Sequence, residues 1–146
     1  MHVTIAAVDK LREKYLREGC TLYQEKLKRH LPVTFAEVKT GTKAAEGRLL
    51  LARIEPGSIV WALDREGTML SSQELARKLH VLQTLGTRRL TLLIGGAEGL
   101  DETCFARADF RWSLSSLTFL HEMSRLVVLE QLFRAVKINR GEPYHR

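Results

Sequence analysis

Short apolar runs alternate along this chain with longer stretches in which Leu, Val and Tyr return every three or four residues, and this rhythm sets an order of elements. His2 to Val8 reads as a first strand, after which Leu11, Tyr15, Leu22, Tyr23 and Leu27 recur at helical spacing until Pro32 interrupts them. Val33 to Val38 alternates as a second strand. A Thr/Gly/Lys segment follows, then a helix containing Leu49, Leu50 and Ile54 that Pro56-Gly57 ends. Ile59 to Asp64 is almost continuously apolar, as a strand covered on both faces must be, and Arg65-Glu66-Gly67 turns it. Ser71 and Glu74 stand at capping-box spacing ahead of Leu75, Leu79 and Leu82. Arg89 to Gly95 is the next buried strand, Asp101 caps a short helix running through Ala108, and Arg111 to Ser116 is the last strand. A long helix from about His121 to Lys137 precedes the tail INRGEPYHR.

Strands alternating with helices predict an α/β fold with a mostly parallel sheet, whose ligands sit at the carboxyl ends of strands. The length of 146 residues, 45% of them hydrophobic, predicts one domain over residues 1–146. Three strand ends are unusual: Leu63-Asp64, the glycine pair Gly95-Gly96, and the serine-rich segment Ser113 to Phe119. They have the composition to line one pocket. A strand that stops at two glycines marks either a tight turn or a ligand approaching bare backbone, because only glycine lacks the Cβ that would block both.

Composition narrows the setting. The opening MHVTIAAV is too short and too alternating for a signal segment, and no later run is long enough to cross a bilayer, so a soluble, unexported protein without membrane association is expected. Cys20 and Cys104 lie far apart without CxxC spacing, and His2, His30, His80, His121 and His145 show no ligand spacing. No disulfide framework and no metal are expected, and reduced cytosol is the simplest compartment. The formal charge of +6 favours an acidic partner such as nucleic acid, though a solvated positive face has the same composition.

The candidate chemistry is thin when each motif stands alone. GGAEG has neither the spacing nor the position of a GxGxxG fingerprint, which argues against a nicotinamide site. Ser113, Ser115 and Ser116 with His121 suggest a hydrolase only superficially, since no GxSxG elbow is present. The first helix interleaves its lysines and arginines with Glu13, Glu18 and Glu25, as a solvated face does. In the last helix and tail Arg125, Arg134, Lys137, Arg140 and Arg146 outnumber Glu122, Glu130 and Glu142, a candidate phosphate-binding rim. The same helix carries Met123, Leu126, Val127, Val128, Leu129, Leu132, Phe133 and Val136. A stripe so wide needs cover on two sides, from a second copy of the chain or from deep burial in a monomer.

Taken in order, the segments ALD, LLIGGAEGL, WSLSSLTFLHEMSR and LEQLFRAVKINRGEPYHR resemble the RlmH family, SPOUT-class methyltransferases that modify N3 of a pseudouridine in large-subunit (23S) ribosomal RNA. The likeness runs from AAVDKL to the terminal YHR. It implies a deep trefoil knot in the carboxyl half, an exception to the rule that chains do not thread their own loops. It also implies that the knotted loops hold S-adenosylmethionine largely through backbone groups. By this resemblance the cofactor residues are Leu63 from the first loop, Gly95 from the second, and Leu114, Ser115, Ser116, Leu117, Thr118 and Phe119 from the third. Leu120 stands where proline is frequent in the family, and Asp9 where glycine is common.

The resemblance further implies that Tyr144, His145 and Arg146 act on the target base: His145 takes the N3 proton, Arg146 stabilises oxygen charge or holds a phosphate, and Tyr144 stacks. Arg125, Arg134, Lys137 and Arg140 are the expected RNA contacts. The expected substrate is the assembled ribosome and the expected assembly a homodimer in which the tail of one subunit completes the pocket of the other. A non-catalytic basic α/β module that only binds RNA is the competing class, and binding of S-adenosylmethionine separates the two.

Overall fold

The computed structural model describes residues 1–143. Tyr144, His145 and Arg146 lie outside the described residues. Five strands, β1 (His2–Val8), β2 (Val33–Val38), β3 (Ile59–Met69), β4 (Arg89–Ile94) and β5 (Phe110–Ser113), form one sheet in the order β2-β1-β4-β3-β5. All four pairings are parallel. The helices are α1 (Lys14–Leu27), α2 (Lys43–Leu51), α3 (Ser72–Thr84), α4 (Glu102–Arg107) and α5 (His121–Asn139).

The near-continuous apolar strands are explained by cover on both faces. Val3, Ile5 and Ala7 of β1, with Leu90, Leu92 and Ile94 of β4, pack with Leu27, Leu75, Leu79, Leu129 and Leu132 of α1, α3 and α5. The intervening Ala6, Val8 and Leu93 pack on the opposite face with Leu50 and Cys104 of α2 and α4. Period-two alternation is present, with both phases apolar.

The helix starts follow capping chemistry. Ser71 and Glu74 form the expected capping box, with Ser71 N donating to the Glu74 carboxylate at 2.6 Å and Glu74 N to Ser71 Oγ at 3.1 Å. Asp101 caps α4 by accepting from Cys104 N at 3.1 Å. Helix α1 starts at Lys14 rather than near Leu11, and no side chain of its own caps it. Instead the buried Glu122 of α5 accepts from the backbone N–H groups of Arg12 and Glu13.

Other boundaries also shift. Strand β3 does not end at the expected Arg65-Glu66-Gly67 turn. Leu63 and Thr68 both face Trp112, so the residues between them bulge out and the strand resumes to Met69. A Cβ on Gly67 would lie 2.6 Å from the Arg111 carbonyl oxygen, which accounts for glycine there. Strand β5 ends at Ser113, where the one hydroxyl proton is shared between the carbonyls of Arg65 (3.0 Å) and Ser115 (3.1 Å) as the chain folds away from the ladder. Helix α2 ends at Leu51, before Ile54, and α4 at Arg107.

The apolar width of α5 is largely accounted for within the chain. The helix packs against both α1 and α3, and every residue from His121 to Ile138 is buried or half-buried. The stripe by itself therefore does not require a second copy.

Candidate cofactor pocket

At the carboxyl ends of β3, β4 and β5 the bulge, the glycine turn and the segment after β5 enclose a cavity of about 460 Å³. Cavities of roughly 300–1,000 Å³ are the size that small-molecule ligands occupy. Leu63, Gly95, Leu114, Ser115, Leu117, Thr118 and Phe119 all line it; of the expected cofactor residues only Ser116 does not. Elements distant in sequence thus converge on one space.

The turn answers both readings of the glycine pair. Gly99 N donates to Gly96 O at 3.0 Å, and Gly99 has φ +80°. A Cβ on Gly95 would sit 2.4 Å from the Gly99 carbonyl carbon and 2.8 Å from Leu100 N. Gly95 is glycine because the turn closes upon it. The same turn places residues 95–100 along the cavity wall.

The third loop is shaped by its own polar groups. Ser115 Oγ accepts from Leu117 N at 3.0 Å, and Arg65 reaches across from the bulge to donate to Thr118 Oγ1 at 2.9 Å. The serine-rich composition thus builds loop geometry, and Ser113, with its hydroxyl committed to carbonyls, has no nucleophile's environment. The walls combine apolar Leu63, Leu114 and Leu117 with polar Ser115 and Thr118 and the glycine turn. Sequence reasoning missed Lys43, Phe105 and Trp112 in the lining. Lys43 opens α2, and no local signal connects it with residues 50 or more positions away.

The expected RNA contacts fare differently. Arg125 is not one of them: its side chain is fully buried, 2.6 Å from the Glu37 carboxylate, and donates to the carbonyls of Val8 and Asp9. The loop after β1 creates this need, because Asp9 has φ +70° and turns those carbonyls inward. Arg134 pairs with Glu130 at 2.6 Å. Glu142 holds both Lys137 and, at 2.8 Å, Arg140, and their hydrogen bonds, that of Lys137 first, pull its carboxyl down to about 2. Much of the apparent positive excess is therefore internally paired. Among the described residues no group of three or more His, Cys, Asp or Glu side chains is placed to hold a metal ion, and no helix is long and apolar enough to cross a membrane.

An open parallel α/β sheet with a cavity beside the carboxyl ends of its strands is the architecture of the α/β class in which small molecules bind at that edge. Within it, a family model described as a predicted SPOUT methyltransferase matches residues 1–145, and the chain belongs to that family. It is 43% identical over 157 aligned residues to ribosomal RNA large subunit methyltransferase H of Pelotomaculum thermopropionicum, covering 99% of this chain and 98% of that protein. Proteins of the same name from Moorella thermoacetica and Acetivibrio thermocellus are 44% and 40% identical over the whole of this chain, covering 99% and 100% of those proteins. A solved structure of a probable methylase family protein from Haemophilus influenzae superposes with a TM-score of 0.57 over 99% of this chain and 70% of that one. At 9% identity it supports the fold alone.

Proposed function

We propose that this chain is an S-adenosylmethionine-dependent methyltransferase acting on N3 of a pseudouridine in 23S ribosomal RNA, on assembled ribosomes in the cytoplasm, as a homodimer of single-domain subunits. The observation that carries the reading is the convergence of Leu63, Gly95 and the 114–119 loop on one cavity in a chain of a methyltransferase family. The names of relatives 40–44% identical support ribosomal RNA as the substrate.

A trefoil knot in the carboxyl half fits the path of the chain. Strand β5 lies at the sheet edge beside β3, whereas α5 returns to the end of β1, where Arg125 Nη2 donates to Val8 O at 3.0 Å.

When bound, S-adenosylmethionine supplies an activated methyl group. Leu63, Leu114 and Leu117 would cover its apolar parts, while backbone at Gly95 and along 115–119 would meet its polar edges. The protein must also align the acceptor nitrogen and favour loss of the N3 proton. His145 is proposed to take that proton, Arg146 to hold oxygen or phosphate charge, and Tyr144 to stack on the base. Helix α5 begins at the cavity and ends at Asn139, about 27 Å further along its axis. A chain that leaves the helix at the end remote from its own cavity supports a tail that serves the cavity of a second copy. Exposed Tyr15, Leu22, Leu117 and Leu120 offer apolar surface for such an assembly.

Calorimetric titration with S-adenosylmethionine tests the assignment against a module that only binds RNA. Saturable binding at one site per chain is expected. A folded protein that takes up none would overturn it.

A further inference from the structure

We propose that a second cavity, between the ends of α1 and α5 and the outer side of α3, docks one unpaired nucleotide of the substrate RNA. The proposal rests on the reading of this chain as an RNA methyltransferase, but it concerns a region remote from the cofactor pocket. The cavity measures about 260 Å³. Its floor is apolar, with Leu31 and Leu79 buried and Val136 half-buried. Its rim carries exposed His30 and His80, with Gln83 and Arg140.

These are the complementary groups of a nucleotide. A nucleobase has apolar faces that stack on imidazole and guanidinium planes, a polar edge, and an anionic phosphate. Leu31, Leu79 and Val136 would receive the face. The Gln83 amide both donates and accepts, as a base edge requires. Arg140 has its Nε held by Glu142 at 2.8 Å, while Nη1 lies 3.4 Å from His30 Nδ1. The guanidinium can donate to that nitrogen, so the arginine cation and the imidazole lie side by side over the cavity. A phosphate oxygen would accept from both. Among the described residues no carboxylate lines the space, and that of Glu142 meets Arg140 on its Nε side.

Helix dipoles explain part of this arrangement, since His30 and Arg140 follow the carboxyl ends of α1 and α5. They do not explain His80, a turn inside α3 on the same rim. The location also has functional sense. Arg140 stands four residues before the Tyr144-His145-Arg146 segment in the sequence.

The test follows the imidazole proton resonances of the intact protein during titration with single-stranded hexauridylate, with inorganic phosphate as the parallel arm. Binding of His30→Ala/His80→Ala is measured on the same RNA by anisotropy. Expected are shifts of the His30 and His80 signals with hexauridylate but not with phosphate at equal concentration, and an affinity about tenfold lower or worse in the double variant, with S-adenosylmethionine affinity unchanged. Silence of both histidines, or parental RNA affinity in the double variant, would overturn the proposal. Signals that respond to protein concentration alone would assign the cavity to a second copy and overturn it too. Failure of the parent to bind S-adenosylmethionine would overturn the methyltransferase reading while leaving this measurement of RNA docking intact.

Discussion

Arg125 and Glu37 meet at 2.6 Å with the arginine wholly buried, tying the start of α5 to the end of β2 across the loop that follows β1. With Glu122 capping α1 from the same helix turn, they make the HEMSR stretch a clamp on residues 8–13. Arg125→Ala would leave a carboxylate and two carbonyls without their donor, at a cost of about 3–5 kcal/mol. Arg125→Lys should recover little, because one ammonium cannot match that planar fork. Urea unfolding measures the loss. Parental stability with weakened, salt-sensitive RNA binding would instead make Arg125 an RNA contact.

The element order, both-face burial of the sheet and the capping box were legible in the sequence because each rests on local periodicity or on residues three apart. Arg125 was not. Counted along the helix it is one more cation, and only the inward carbonyls of Val8 and Asp9, 116 and more positions earlier, give it a partner. The extension of β3 escaped for a similar reason: Gly67 reads as a turn until the Arg111 carbonyl is placed against it. Of the pocket, the loops were recognised by resemblance, whereas Lys43 and Phe105 enter through tertiary packing that no spacing encodes.

The glycine turn should distinguish two kinds of glycine. Gly95→Ala puts a Cβ 2.4 Å from the Gly99 carbonyl carbon and should open the turn, lowering S-adenosylmethionine affinity more than tenfold. Gly99→Ala meets nothing within 4 Å but is held at φ +80°, so it should cost about 1 kcal/mol and retain most binding. Calorimetry and thermal unfolding of both variants check the order; equal losses would contradict it.

Burial raises the Cys20 thiol to about 11 and the Cys104 thiol to about 12, from an ordinary value of 9.0. Above pH 9 the unfolded chain ionises these thiols first, so it binds fewer protons than the folded one. Their contribution to stability is therefore complete below pH 9 and is lost as pH rises through 11 and 12. Urea midpoints should fall over this range, with a shallower slope in Cys20→Ala and Cys104→Ala. At pH 8 a thiol reagent should label neither cysteine until denaturant is added.

Light scattering at micromolar concentration should report twice the 16.6 kDa chain mass. If the tail works across the dimer, mixing a subunit lacking residues 144–146 with one carrying Gly95→Val should restore methyl transfer that neither homodimer performs. Activity in a strict monomer would contradict the shared site.

The most direct measurement incubates the purified protein and S-adenosylmethionine with ribosomes from a strain that lacks this chain, followed by mass spectrometry of the 23S ribosomal RNA. The account predicts one added methyl per ribosome, on N3 of a single pseudouridine, formed by the parent and lost on deletion of Tyr144-His145-Arg146. No methyl gain, or a methyl on any other base, would contradict it.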